Sequence, residues 1–338
     1  MNALVTGGAG FIGSHLCEIL LTRGYKVSVI DDLSTGRYEN IEHLEKNGHF
    51  ELIIDTVLNK PLLETLVKSS DVIFHLASAV GVRLILEQPV KTIETIVEGT
   101  TRVLSQARRY RRKVIITSTS EVYGKGSKVP FAELDDTILG PTTTRRWAYA
   151  AAKTIDEFLA LAHWYETRLP VTCARLFNTV GPRQTGQYGM VIPRLVGQAL
   201  QGKDITVYGD GKQTRSFCHV RDVVHALVQL ADCPDAPGKV VNIGNNEEVT
   251  IGTLAERVKE LSGSSSRVVY IPYEEAYEEG FEDMQRRVPD LSLAQRLIGY
   301  RPRLTLNDIL LDVINYSAGN RTAKDLTPRV HSLAAHNR

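Results

Sequence analysis

The sequence predicts an α/β protein: a doubly wound parallel sheet with a smaller C-terminal domain. Three observations carry this. Short apolar runs alternate with helical patterns through the first half. Those runs are β-branched and nearly unbroken, as expected of parallel strands covered on both faces. A glycine-rich turn joins the first run to the first helical pattern. Strands are expected at Ala3–Thr6, Lys26–Ile30, Phe50–Ile54, Asp71–His75 and Lys113–Thr117. Helices are expected from Phe11 to Arg23, near Pro61–Lys68 and along Val90–Arg109. A further helix over Tyr149–Thr167 leads into a strand at Val171–Arg175.

Beyond about residue 178 glycine and proline become frequent, at Gly181, Pro182, Gly186, Gly189 and Pro193. Strands are then expected at Ile205–Tyr208, Val240–Ile243 and Val268–Ile271, and helices through Asp222–Ala231 and Ile251–Leu261. The length, 338 residues, suits two domains. We expect residues 1–178 in a dinucleotide-binding domain, with later contributions near 215–243. Residues 179–214 and 244–316 are expected in the second domain. The acidic stretch 274–283 reads as a solvated loop and 317–338 as a flexible tail.

Composition excludes several classes. Forty Lys and Arg balance 39 Asp and Glu, which gives no global attraction to nucleic acid or to an anionic membrane. The basic run Arg108–Lys113 reads as the end of a helix, where cations suit the dipole. Cys17, Cys173, Cys218 and Cys233 show no CxxC spacing, so reduced thiols in a cytoplasmic protein are expected. No histidine pattern suggests a metal. The first residues do not read as a signal peptide, and no run of about 18 apolar residues suggests a membrane span.

The segment ALVTGGAGFIGSHL spaces Gly7, Gly10 and Gly13 as GxxGxxG between strand and helix. Gly7 permits the tight turn, Gly10 lets a pyrophosphate approach the backbone, and Gly13 permits close packing of helix on strand. The helix N-terminus attracts phosphate. Asp31 closes the second strand, 18 residues after Gly13. A carboxylate there suits a ribose 2′-hydroxyl and repels a 2′-phosphate, which favours NAD over NADP.

Tyr149 and Lys153 lie four apart on one helix, hence on one face. A cation near a phenol stabilises the phenolate, so Lys153 is expected to lower the Tyr149 pKa and make it a base. Ser118-Thr119-Ser120-Glu121 follows a strand, at the carboxyl edge where open α/β sheets bind ligands. A hydroxyl there can hydrogen-bond the oxygen that Tyr149 deprotonates. His75 is expected near the cofactor, His219, His225 and Asn242 in structural roles, and Asn178 against a substrate phosphate.

GGAGFIG, STSEVYG and YAAAK in this order resemble the extended short-chain dehydrogenase/reductase family. Arg175-Leu-Phe-Asn178-Thr-Val-Gly-Pro182-Arg183 and the run from Ile205 to Arg215 resemble its nucleotide-sugar epimerase/dehydratase branch. The resemblance covers about residues 1–316. It implies a Rossmann domain holding NAD through Gly7, Gly10, Phe11, Ile12, Gly13, Asp31, Asp55, Thr56, Ala77, Tyr149 and Lys153. It implies a second domain closing over a nucleoside diphosphate sugar, with Asn178, Arg183, Tyr208, Arg215 and Arg287 on the substrate. It also implies a homodimer through a four-helix bundle, made here from the helices near 90–109 and 149–167.

Within that branch, 4,6-dehydratases carry Asp-Glu after the catalytic Thr, where the Asp acts as an acid. Ser120-Glu121 stands here, and serine is a poor acid. Thr119-Ser120-Glu121, Arg146-Trp147 before Tyr149, and Arg286-Arg287-Val-Pro-Asp290 resemble UDP-glucuronate decarboxylases, the UDP-xylose synthases. Ile96 stands where many members have Asn, and the loop from Ala77 to Arg83 differs from animal decarboxylases. The expected reaction is oxidation at the sugar 4-carbon with Tyr149 as base, then loss of carbon dioxide from the β-keto acid. Thr119, Ser120, Glu121, Tyr149, Lys153 and Arg215 are the expected catalytic residues, and NAD is regenerated each cycle. The alternatives are a UDP-sugar 4-epimerase acting on UDP-glucose or UDP-glucuronate, and a non-catalytic NAD-binding regulator on the same fold.

Overall fold

The structure is a computed structural model, described here for residues 1–78, 88–186, 190–272 and 286–319. Its centre is a seven-stranded, all-parallel sheet. Six strands come first in the chain: β1 (Asn2–Thr6), β2 (Lys26–Asp31), β3 (Phe50–Ile54), β4 (Val72–His75), β5 (Lys113–Thr119) and β6 (Val171–Leu176). The seventh, β11 (Val240–Ile243), arrives much later. The order is β11-β6-β5-β4-β1-β2-β3. The chain winds one way from β1 to β3, then returns to β4 and winds the other way. The switch falls between β1 and β4, where such sheets open a crevice at their carboxyl ends.

Helices cover both faces: α1 (Phe11–Thr22), α2 (Lys60–Ser69), α3 (Pro89–Tyr110), α4 (Trp147–Thr167) and the later α6 (Val220–Asp232). Asn59 caps α2 by accepting from the Leu62 N–H, with Pro61 in the first turn. One buried cluster packs α1 and α6 on one face, through Leu16, Leu20, Val224 and Leu227. Another packs α2, α3 and α4 on the opposite face, through Leu63, Val103, Leu104 and Ala160. The Val and Leu side chains buried this completely each contribute roughly 1.5–3 kcal/mol.

A third cluster lies apart from the sheet. It joins α5 (Val191–Leu200), α7 (Ile251–Ser262) and α9 (Leu306–Ser317) to the parallel pair β8 (Ile205–Tyr208) and β13 (Val268–Ile271). Short pairs stitch the two parts together: β7 (Thr179–Val180) with β10 (Cys218–His219), and β9 (Thr214–Ser216) with β12 (Glu248–Thr250). The helix α8 (Ser292–Ile298) packs with Ala294 and Tyr300 in the sheet-side cluster, although it follows β13 in the chain.

The expected elements are present, with bounds moved by a residue or two. The helix α4 begins at Trp147 rather than Tyr149, because the buried indole seats against Gly140, where no Cβ would fit. Three helices were not expected. Of these, α9 had a legible start: Thr305 and Asp308 form a capping box. The acidic stretch 274–283 and residues 320–338 of the expected tail lie outside the described residues, while Ser317 ends α9.

Candidate active site

A cavity of about 410 Å³ opens at the switch between β1 and β4. The glycine turn forms its floor. Gly7 adopts φ +75° and donates to the Ile30 carbonyl at 2.9 Å. A Cβ on Gly13 would stand 2.1 Å from the Gly7 oxygen, so only glycine lets α1 sit this close. Gly10 precedes α1 with no side-chain cap, and Gly10, Phe11, Ile12 and Gly13 line the cavity together. Asp31, Asp55, Thr56 and Ala77 line it too. The Asp31 carboxylate accepts from the N–H groups of Ala9 and Leu33, each at 2.9 Å. Each oxygen keeps a lone pair for a ribose hydroxyl. Burial first, and then Asp32, lift its pKa against those two hydrogen bonds. The turn, the free helix end and this carboxylate fit NAD.

Thr119, Ser120 and Glu121 line the opposite wall with Tyr149 and Lys153. They sit where β5 ends and a short 3-10 turn, Ser120–Tyr123, begins. The Thr119 hydroxyl accepts from the Glu121 N–H at 3.2 Å and also hydrogen-bonds Tyr149. Glu121 meets Arg287 at 2.6 Å and Arg146 at 3.3 Å. Burial alone would raise the Glu121 pKa. The charges of Arg287 and Arg146, with Arg215 behind them, win and hold it below the usual carboxylate range.

One expectation changes here: the Tyr149 pKa lies above its ordinary value, not below it. Burial raises that pKa first, the Glu121 charge raises it further, and the Thr119 hydrogen bond opposes them. The Asp156 charge, whose Oδ2 engages Lys153 Nζ at 2.8 Å, adds to the rise. Arg287, expected on the substrate, lines the cavity and pairs with Glu121.

Other expected residues divide. Asn178 lines the cavity and donates to the Ser216 carbonyl at 2.8 Å. Arg215, 9% exposed, donates to its neighbour Thr214's carbonyl and acts on Glu121 through its charge, but does not line the cavity. Arg183 does not line it either; its guanidinium turns to Glu18 on α1. Tyr208 lies under the Arg194 guanidinium, 4.2 Å from ring centre to carbon, outside the lining. His75 is buried between Thr6 and Thr100 and does not itself line the cavity. His219 caps α6 and pairs with Asp312, and Asn242 accepts from the Tyr123 hydroxyl. Ile96 is buried.

Sequence reasoning named Arg146 only by resemblance, although it lines the cavity, and did not pair Asp156 with Lys153. The signal was spacing: Arg146, Tyr149 and Lys153 recur at intervals of three and four, and Asp156 continues the row. Among the described residues no group of His, Cys, Asp or Glu could hold a metal, and no helix is long and apolar enough to cross a membrane.

Fold and site together define an NAD-dependent enzyme of the extended short-chain dehydrogenase/reductase class. The chain belongs to the GDP-mannose 4,6 dehydratase family, whose model it matches over residues 4–313. It is 42% identical to a UDP-N-acetyl-alpha-D-glucosaminuronate decarboxylase of Bacillus cytotoxicus, over 93% of this chain and 97% of that one. It is 40% identical to UDP-glucuronic acid decarboxylase 1 of Arabidopsis thaliana, over 91% of this chain and 68% of that one. A solved structure of UDP-glucuronic acid 4-epimerase from Bacillus cereus, in complex with UDP-glucuronic acid and NAD, superposes with a TM-score of 0.84. It is 31% identical, over 95% of this chain and all of that one.

Proposed function

We propose that the protein decarboxylates UDP-glucuronate to UDP-xylose through a 4-keto intermediate, with NAD regenerated in each cycle. One observation carries this: an ionised Glu121 set between Arg287 and Arg146, beside Tyr149 and Thr119. NAD, when bound, supplies the hydride acceptor for the sugar 4-carbon. Tyr149 removes the proton from the 4-hydroxyl, with Thr119 as its hydrogen-bonding partner. The ketone lies β to the 5-carboxylate, so carbon dioxide leaves as electrons flow into the carbonyl. Thr119 and Tyr149 then donate to the developing enolate oxygen. Planar guanidinium groups suit the substrate's carboxylate and diphosphate. An ionised Glu121 close to a second carboxylate disfavours the charged ground state and so favours loss of the neutral gas. Ser120 and Glu121 line the cavity where they can manage the solvent-derived proton that returns to the 5-carbon. Ser120 stands where dehydration would need an acid.

A second reading within the class takes UDP-N-acetylglucosaminuronate as substrate, favoured by the 42% identity to the Bacillus cytotoxicus enzyme. A third, 4-epimerisation, is favoured by the superposition on the epimerase. Incubation with each UDP-hexuronate in turn separates them. The proposal expects the larger kcat/KM on UDP-glucuronate and a product lighter by one carbon dioxide. A product of unchanged mass with an inverted 4-hydroxyl would replace it with the epimerase reading.

We also infer a cytoplasmic homodimer joined through a four-helix bundle, with the division of domains given above. The helices α3 and α4 pack side by side. Their outer surfaces carry exposed Val90 and Ile93, and Ile155, Phe158 and Tyr165, with Phe158 71% exposed. Apolar side chains gathered on one face mark an interface. Phe158→Glu is expected to convert the dimer to monomer in sedimentation velocity at micromolar concentration. A dimer that survives this change would place the interface elsewhere.

A further inference from the structure

The lysine of the catalytic helix is almost wholly buried, 3% exposed. A buried ammonium is costly without a counter-charge. Asp156, one turn along α4 and 0% exposed, gives it one at 2.8 Å. Other titratable groups nearby are neutral or paired among the described residues. From β4, burial and then the Lys153 charge push the His75 pKa down to about 3, so the imidazole is neutral. Its two ring nitrogens lie 2.8 Å from the Thr6 hydroxyl and 3.1 Å from that of Thr100. From β6, burial pushes the Cys173 thiol up, so it is not a thiolate. On α4 itself, burial likewise keeps the Tyr149 phenol protonated, and Glu157 is bound to Arg175 at 2.7 Å and to Ser118. At the end of β5, Glu121 is bound to Arg287.

We propose that Asp156 is the counter-ion of Lys153: a positioning residue whose carboxylate keeps the lysine charged and in place one turn from Tyr149. Burial lifts the Asp156 carboxyl, and Lys153 and the Thr100 hydroxyl oppose that lift. The pair is thus mutual, each charge making the other tolerable where both side chains are buried. Asp156 does not line the cavity and acts only through the lysine. This inference rests on the reading of Tyr149 as base and Lys153 as its supporting cation.

Asp156→Asn tests it, with lysine and aspartate isotopically labelled in the full chain and NAD added. Lys153 signals, assigned by their loss in Lys153→Met, report its protonation directly by NMR. In Asp156→Asn at neutral pH the Lys153 Nζ signal is expected to leave the ammonium position it holds in the unchanged protein. The pH profile of kcat/KM is expected to gain an alkaline loss that the unchanged protein lacks, and Asp156→Glu to restore both. An unmoved Lys153 Nζ signal in Asp156→Asn would overturn the proposal. Should that variant not fold, the unchanged protein decides. Its Lys153 ammonium must show a scalar coupling to the Asp156 carboxyl carbon with NAD bound, and a missing coupling overturns the proposal. The lysine signals need no turnover, so absence of activity on UDP-glucuronate would fault the proposed reaction and leave this reading standing.

Discussion

Tyr149→Phe is expected to lower turnover by roughly 10²–10⁴-fold, the usual worth of a positioned general base. NAD binding should stay within a few-fold of the parent, measured by calorimetry. The phenol lines the cavity beside Thr119, and its hydroxyl is the only atom the change removes. The glycine turn, the free end of α1 and the Asp31 carboxylate are untouched. The pH dependence has a definite sign. Burial and Glu121 raise the Tyr149 pKa, so the base form grows as pH rises and activity should climb toward alkaline pH. Full activity in the Phe variant would end the assignment of Tyr149.

Glu121→Gln should separate the two halves of the reaction. The ionised carboxylate is held by Arg287 and Arg146, and the change keeps its shape while removing its charge. Tyr149 and Thr119 remain, so oxidation at the 4-carbon should proceed. Loss of carbon dioxide should slow by about 10²-fold or more, as when a charge aimed at the reacting centre is removed. Absorbance at 340 nm should therefore rise on addition of UDP-glucuronate and persist. Removing one negative neighbour also relieves part of the upward pressure on Tyr149, which should extend activity toward lower pH. Pentose production at the parent rate would show that Glu121 has no part in decarboxylation.

The parts of the fold that follow from local rules were legible. Strand alternation and the Gly7, Gly10, Gly13 spacing predicted a doubly wound sheet, and strand pairing shows it parallel throughout. The row Tyr149, Lys153 and the hydroxyls after β5 predicted one wall of the cavity, and they share it. What failed was long-range. The partner of a charge is chosen by the tertiary fold, so Arg183 could not be seen to face Glu18, 165 residues away. The helix α5 follows a Gly- and Pro-rich run and was hidden by it, although Ile192, Leu195, Val196 and Ala199 form one buried stripe. Arg287 comes from a stretch read only by resemblance, and chain folding alone brings it to Glu121.

Turnover of UDP-glucuronate in deuterium oxide, read by proton NMR and mass spectrometry of the sugar, probes the chemistry most directly. The account predicts a pentose lighter by carbon dioxide, with a single deuteron at the 5-carbon and ordinary hydrogen kept at the 4-carbon. A hexuronate that keeps its carboxylate, or a deuteron at the 4-carbon, would contradict it.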